Sequence, residues 1–480
     1  MANGILAPDM SPSGTHEASG PLLEVDPLAV ELGERFRLAG YELYLVGGAV
    51  RDLILQRPAA DELDFATNAR PEETLQVLRE WADRRYLTGV RFGTVGARRD
   101  DRLVEITTFR KEVYREDDRH PTVTFSDDLH TDLSRRDFTI NAMAVRLPER
   151  EFIDPFGGVK ALAARVLDTP LDPEISFTDD PLRMLRAARF AAALELSPAR
   201  RVVDALRAMA GRLAIVSAER RRDELSKLLL AARPGLGLEL AVQTGLADHV
   251  LPELPALQIE QDPVHKHKDV LRHTLAVVAR CEPDLKLRLA ALLHDIGKPA
   301  TRTFTEEGVQ FHHHEVVGAR MAEERLRALR YPNDVVSDVV KLIELHLRFH
   351  TFRMGWSDSA LRRYVRDAGP LLDPLNQLVR ADCTTRDRQR AKALAALQDE
   401  LEVRIARLAE QENLERLRPP LDGHEVMAHL GVPPGPVVGQ ALDYLMEQRL
   451  DRGPIEKDEA YRLLDEWAGR HDADEGEPPG

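Results

Sequence analysis

Apolar positions fall into two regimes along this 480-residue chain. Up to about residue 168, short apolar segments alternate with Gly, Pro or Asp breaks. Tyr41–Val46, Leu63–Ala66, Leu103–Thr108 and Ile140–Leu147 read as strands, the last two from their β-branched enrichment. Between them Pro71–Trp81 spaces Leu75, Leu78 and Trp81 on one helical side. The character changes at Asp180. Pro181–Leu194 and Ala199–Met209 are rich in Ala, Leu and Arg with few strand formers, and the rest of the chain reads as helical. Proline pairs at Pro252–Pro255, Pro419–Pro420 and Pro433–Pro436 mark boundaries. Leu394, Leu397, Leu401, Ile405 and Leu408 step by three or four, which predicts a long amphipathic helix with one face in a bundle core. No repeat of solenoid period is present.

Charge narrows the partners. With 66 Lys and Arg against 81 Asp and Glu, the formal net charge is −15. A wholly basic coat for nucleic acid is excluded; a local basic groove is not, because phosphate binding needs a positive face rather than a positive total. The two cysteines, Cys281 and Cys383, exclude a disulfide framework and a Cys-rich zinc site, and fit a reducing cytoplasm. Apolar runs such as Leu287–Leu293 fall far short of the ~20 residues of a membrane span. Residues 1–21 lack the basic start and apolar stretch of a signal peptide and are expected to be disordered; the acidic tail after Gly469 is expected to be loose.

Four segments carry candidate chemistry in the first half. Gly47-Gly48-Ala49-Val50-Arg51-Asp52 follows one predicted strand and opens a predicted helix, so backbone N–H groups and Arg51 can meet a phosphate. By itself, such a segment is usually just a turn. Glu62-Leu63-Asp64 puts two carboxylates on one strand face, where they can hold a metal cluster; an isolated acidic pair is more often an exposed strand edge. Glu105 alternates with Val104 and Ile106, either toward the same cleft or on a solvated face. Arg135-Arg136-Asp137-Phe138-Thr139-Ile140-Asn141 combines cations for phosphates with Asp and Asn for ribose hydroxyls; a structural ion pair is the plainer alternative. Asp180-Pro181-Leu182-Arg183 is an ordinary helix start. It also sets an acceptor and a donor one turn apart, an edge that suits the amino group and ring nitrogen of cytosine and adenine and opposes uracil and guanine.

Taken together these segments resemble the tRNA nucleotidyltransferase and bacterial poly(A) polymerase family, the class II CCA-adding enzymes, over roughly residues 22–260. The family usually has Asp-x-Asp where this chain has Glu62-Leu63-Asp64, so either Glu62 serves or Asp61 enters through a bulge. The resemblance implies an α/β polymerase-β-like nucleotidyltransferase head, then an all-α neck, an HD-type helical domain and C-terminal helices. It implies Mg²⁺ on Glu62 and Asp64, with Glu105 as a further ligand, in a two-metal transfer that needs no separate base. Gly47, Gly48 and Arg51 would hold the triphosphate; Arg136, Asp137 and Asn141 the sugar and phosphates; Asp180 and Arg183 the base, with Arg186 nearby. The implied substrates are CTP, ATP and a tRNA 3′ end. Glu219-Arg220 and Glu224 look like the family's following helical motif, a support. The arginines from Arg183 to Arg222 divide between surface ion pairs and a groove for tRNA.

A second constellation lies further on. His273, His294-Asp295 and Asp382 have the order and spacing of the HD phosphohydrolase superfamily, and His and carboxylate ligands suit a divalent transition metal. His314 and His346 could complete a second metal site. His265, His267, His312, His313 and His350 read as surface residues. This domain could hydrolyse phosphate esters or serve as a metal-stabilised scaffold. Pro419–Gly423 and Gly431–Pro436 look like the terminal segment of bacterial members, and Gly435–Gly439 starts a helix.

The expected parse is a tail at 1–21, a catalytic domain at 22–168, a helical neck at 169–258, an HD metal domain at 259–400, a helical segment at 401–470 and an acidic tail at 471–480. The leading expectation is a cytoplasmic enzyme that adds CCA to tRNA, with no membrane partner. Alternatives are poly(A), A-only or CC-only addition, or a working HD phosphohydrolase beside a disabled RNA-binding half. Nothing in the sequence specifies an oligomeric state.

Overall fold

A computed structural model describes residues 23–58, 62–87, 89–90, 93–113, 122–259, 269–305, 308–352, 355–383, 388–412 and 418–475. The expected tail at 1–21 and the Asp61 bulge lie outside these residues. The chain divides into two compact units, Met1–Pro255 and Ala256–Gly480.

The first unit is built on a seven-stranded sheet. Its strands are β1 (Leu43–Val46), β2 (Glu62–Thr67), β3 (Arg84–Tyr86), β4 (Thr94–Arg99), β5 (Arg102–Thr108), β8 (Ala144–Leu147) and β9 (Glu151–Ile153), in the order β3-β4-β5-β2-β1-β8-β9. β6 (Arg110–Val113) and β7 (Thr122–Phe125) form a separate pair. Only β2 and β5 run parallel within the large sheet. Alternation sets the faces: Leu63, Phe65, Val104 and Ile106 are buried, while Glu62 and Glu105 on the opposite side stay exposed. Tyr44, Val46, Ala66 and Phe109 belong to the core beneath β1 and β2. Helices then take over, with Leu182–Leu194, Arg200–Met209, Ala218–Leu229 and Pro234–Gln243 as the longer ones.

Three details differ from the sequence pattern. Ile140–Leu147 is not one strand: Thr139–Asn141 forms a 3₁₀ turn and only Ala144–Leu147 joins the sheet. The cause is local, since the Asp137 carboxylate accepts from Phe138 N–H and the Asn141 amide and so competes with a ladder. The helix at Pro71 ends at Val77, although Leu78 and Trp81 remain buried in the following turns. The later chain is not wholly helical. β10 (Val166–Leu167) pairs with β11 (Ser197–Pro198), and β12 (Arg302–Thr305) forms a hairpin with β13 (Gly308–Phe311).

In the second unit, helices Val270–Arg280, Leu285–Leu293, His314–Ala328, Asn333–Leu345 and Leu372–Asp382 surround a polar centre. The amphipathic run from Leu394 lies in one helix, Arg388–Glu412, with Leu394, Leu401, Ile405 and Leu408 buried. Helices Gly423–Leu430, Pro436–Arg452 and Lys457–Glu475 share a core of Val426, Ala441, Leu445, Ala460 and Leu464. The expected loose tail is helical through Glu475.

Arg362 ties three of these helices together. From within Asp358–Ala368 its guanidinium donates to both Glu412 carboxylate oxygens at 2.7 Å and to the Leu450 carbonyl at 3.0 Å. The side chain is only 7% exposed and that of Glu412 12%. Arg362→Ala leaves a buried carboxylate unpaired and is expected to cost about 3 kcal/mol. Arg362→Lys should recover under half of it, because an ammonium cannot fork. Chemical denaturation checks both; a loss below about 0.5 kcal/mol would mean the pair behaves as a surface one.

Candidate functional site

Register brings three carboxylates together in the first unit. Glu62 and Asp64 share a face of β2, and the parallel pairing places Glu105 of β5 opposite Asp64. An oxygen of each lies within 4.8 Å of the others. β2 pairs without interruption from Glu62 to Thr67, so Glu62 itself occupies the position two before Asp64. Burial pushes the Asp64 carboxyl up, with Arg136 and Arg186 pulling the other way. Burial, then the charges of Glu62 and Asp64, push Glu105 up. Three hard oxygen donors that repel one another fit a divalent cation of the Mg²⁺ type.

Gly47 seals one side of this cluster. Its φ of +72° is a conformation L side chains rarely adopt, and a Cβ there would sit 3.1 Å from Arg136 Nη1 and 3.6 Å from Asp64 Oδ2. Gly48 begins the short helix Gly48–Ile54, which carries Arg51. Arg136 is held from behind by Asp132, a fully buried carboxylate that accepts from Arg136 at 3.3 Å and from Arg135 at 2.6 Å. Burial pushes the Asp132 carboxyl up, but the two arginines outweigh it and hold it low.

Behind the carboxylates runs a chain of buried bonds. Arg51 grips Asp52 with two N–H groups and donates to Asn141 Oδ1 at 2.7 Å. The Asn141 amide donates to Asp137 Oδ1 at 2.9 Å, and Arg186 forks onto Asp137 Oδ2 at 2.8 and 2.5 Å. Glu224, buried, faces Arg189 at 2.9 Å and Arg186 at 3.7 Å. Phe190 is the hub of these cations, with Arg51, Arg186 and Arg189 all within 5.5 Å of its ring centroid. Burial pushes the Asp137 carboxyl up, yet Arg186 and Asn141 more than offset it and hold it at about 2.

Asp180 opens into the same cleft as Asp64, Arg136 and Arg186. One of its oxygens caps Leu182 N–H at 3.1 Å, as the helix-start reading expects; the other accepts from Arg220 at 2.8 Å. Arg183 is buried, with Nη1 on Ser176 Oγ at 2.9 Å and Nη2 on the Arg135 carbonyl at 2.6 Å. Its guanidinium is therefore fixed in the cleft wall. The basic stretch divides as expected: Arg183, Arg186 and Arg220 line the cleft, whereas Arg200 and Arg207 pair with Asp204 on the surface. Sequence reasoning passed over Asp132, Ser176 and Phe190, which hold the named residues in place. An aromatic within one turn of Arg186 and Arg189 was the available signal for Phe190.

The second unit holds its own centre. His273 Nε2 lies 2.9 Å from Asp382, His294 Nε2 3.2 Å from Asp295 and His314 Nε2 3.4 Å from Asp295. His273, His294 and Asp295 form one candidate metal triad; Asp295, His314 and His346 form another, with Asp295 common to both. His294, His314 and His346 each direct Nδ1 at the carbonyl three residues back, Ala291, Phe311 and Ile343. A carbonyl only accepts, so Nδ1 carries a proton and Nε2 faces inward. All three Nε2 atoms are buried and make no well-directed hydrogen bond. That is costly in a protein interior and is what a metal ion resolves. Burial pushes His294 down, but Asp295 and Asp382 outweigh it and carry it up to about 10, the setting in which a bound divalent ion would take the place of that proton. Burial and the His294 charge push His346 down to about 3, so it stays neutral. Lys298 donates to Asp295 at 2.7 Å. Gly297 permits the closeness, since a Cβ there would meet the His314 carbonyl at 2.3 Å. His312 and His313 are exposed, as expected; His265 and His267 lie outside the described residues.

Comparison with known proteins follows this division. Residues 43–168 match the Poly A polymerase head domain, 195–257 the probable RNA and SrmB-binding site of polymerase A, and 270–411 the HD domain. The chain is 35% identical to the A-adding tRNA nucleotidyltransferase of Deinococcus radiodurans, over 73% of this chain and 82% of that one. It is also 35% identical to the CC-adding tRNA nucleotidyltransferase of Thermus thermophilus, over 90% of this chain and 95% of that one. The solved structure of the Bacillus stearothermophilus CCA-adding enzyme in complex with CTP superposes with a TM-score of 0.69 at 25% identity, covering 94% of this chain and all of the other.

The buried Asp137 pairing makes a pH prediction. Its folded pKa, about 2, lies below the usual carboxylate value near 3.9. Its contribution is therefore complete above about pH 4 and disappears as pH falls toward 2. Asp137→Asn should cost about 2 kcal/mol at pH 7, and the gap from the parent should close between pH 4 and 2. Denaturation midpoints across that range check this; a gap that is constant with pH would show that the charge is not what stabilises.

Proposed function

The chain belongs to the tRNA nucleotidyltransferase family, and on that basis we propose that it adds CCA to the 3′ end of tRNA from CTP and ATP without a template. The observation that carries this reading is the convergence of Glu62, Asp64 and Glu105 across β2 and β5, beside a cleft with Asp180 and five arginines. The same convergence argues against a disabled first half, because Glu62 stands within the cluster.

In the transfer, the 3′-oxygen of the RNA bonds to the α-phosphorus as the bond to the bridging oxygen breaks and pyrophosphate leaves. The hydroxyl proton passes to water. Glu62, Asp64 and Glu105 would hold the divalent cations, which would supply activation of the hydroxyl and stabilisation of the phosphate charge. Arg136, beside Asp64 and Gly47, and Arg186 give the cleft the positive wall that a triphosphate needs. The tight Gly47-Gly48 turn lets the chain come close to those phosphates. Arg51, Asp137 and Asn141 fix the floor on which the sugar rests. Asp180 accepts from the exocyclic amino group of cytosine or adenine, and the fixed Arg183 donates to the adjacent ring nitrogen. Uracil and guanine present the opposite pattern.

The same logic extends along the chain. We read residues 22–168 as the catalytic head, 169–258 as the neck, 259 onward as the HD part and the last helices as a terminal segment. The HD centre is read as a divalent transition-metal site, because inward imidazoles and carboxylates suit such ions. No described helix is long and apolar enough to cross a membrane, and we place the enzyme in the cytoplasm.

A second reading, addition of CC alone or A alone, is favoured by the equal identity to an A-adding and a CC-adding relative. End-labelled tRNAs lacking CCA, or ending in C or CC, separate these outcomes when given CTP and ATP. CCA addition completes all three. A CC-adding enzyme stops before A, and an A-adding enzyme extends only the CC end. Asp64→Ala should lower incorporation at least about a hundredfold with tRNA binding retained, since it removes a metal ligand rather than a phosphate contact. Glu62→Asp should keep activity. Normal incorporation by Asp64→Ala would remove the assignment of the cleft.

A further inference from the structure

We propose that Phe304 and Arg302 form the base seat of a nucleotide site whose phosphate end is the histidine–aspartate centre. The proposal rests on reading that centre as a metal site that takes phosphate. Register carries it. In the hairpin, Arg302 pairs with Phe311 and Phe304 with Val309. Residues directly opposite, and residues two apart on one strand, project from the same face. Phe311, Arg302 and Phe304 therefore share one face.

The inner end of that face adjoins the centre. Lys298 Nζ lies 5.7 Å from the Phe311 ring centroid and donates to Asp295, while His314 Nδ1 donates to the Phe311 carbonyl. Phe304 stands one side-chain step further out, roughly 7 Å along the strand. Arg302 Cζ is 4.7 Å from its ring centroid, yet Phe304 remains 70% exposed. An aromatic ring flanked by a guanidinium and left open to solvent stacks on any nucleobase, because every base has a π face. Lys298 and the inward imidazoles make the other end fit for an anion. The two ends are joined by one hairpin face, which is the arrangement a nucleotide with a terminal phosphate requires. That phosphate could belong to a free mononucleotide or to an RNA end.

Calorimetric titration of the full chain loaded with Mn²⁺ tests this, using inorganic phosphate, ribose 5-phosphate, AMP and a 3′-phosphorylated oligonucleotide. Binding that survives in Asp295→Ala belongs to the other cleft and is subtracted. We expect AMP to bind on the order of tenfold tighter than ribose 5-phosphate. Phe304→Ala should remove that preference while leaving phosphate affinity and melting temperature unchanged, and Phe304→Trp should keep it. Tighter binding of the oligonucleotide than of AMP, lost in Phe304→Ala, supports an RNA end; the reverse order supports a free nucleotide. An AMP preference that persists in Phe304→Ala overturns the seat. Phosphate binding without any base preference in the parent also overturns it but leaves the phosphate centre standing. Absence of Asp295-dependent phosphate binding overturns both.

Discussion

A buried carboxylate, Asp137, fixes the geometry of the first unit. It sits in the segment between the sheet strands and is gripped by Arg186 of the Leu182–Leu194 helix and by Asn141. An ionised carboxylate in that setting is tolerable only with partners, so the helix cannot shift without exposing an unpaired charge. Because Asp180 and Arg183 stand at the start of that same helix, the grip on Asp137 also sets where they lie relative to Asp64. The carboxylates proposed to hold metal come from the sheet, and the groups proposed to read the base come from the helix. One ion pair holds the two sets in register.

The second unit uses another device for the same end. Three histidines at the ends of three different helices each spend Nδ1 on the carbonyl three residues earlier, which turns every Nε2 inward. That one local bond thus selects the tautomer and orients the ring at once. Close packing at Gly297 brings His314 to Asp295. The two units therefore present two kinds of candidate ligand set, hard oxygen donors in one and mixed imidazole and carboxylate donors in the other.

Much of this was legible in the chain because the motifs are local. The two-residue spacing of Glu62 and Asp64 states their shared face directly, whereas alternation left Glu105 open between the cleft and solvent until strand pairing set it opposite Asp64. The spacing of Leu394 to Leu408 likewise states a helix. What escaped reading was set by side-chain partners that no periodicity shows. Ile140 looks like a strand residue until the Asp137 side chain takes the neighbouring N–H. Arg183 looks like a free side chain until Ser176 and the Arg135 carbonyl fix its guanidinium in the cleft wall. Phe190, by sequence one more apolar residue in an Ala-rich helix, gains its role from arginines on two elements. The hairpin at Arg302 has only four residues per strand and lies within a helical context, so its period was too short to register.

The central claim is that this cleft chooses nucleotides by hydrogen bonding from Asp180 rather than by a template. Single-nucleotide incorporation of all four triphosphates by the parent and by Asp180→Asn, with melting temperatures alongside, tests it most directly. Asn caps a helix as well as Asp does, so stability should hold. Its amide can turn to offer a donor, so UTP incorporation should rise relative to CTP and the discrimination narrow by on the order of tenfold. Unchanged selectivity in a stably folded Asp180→Asn would contradict the account and leave Asp180 as a helix cap alone.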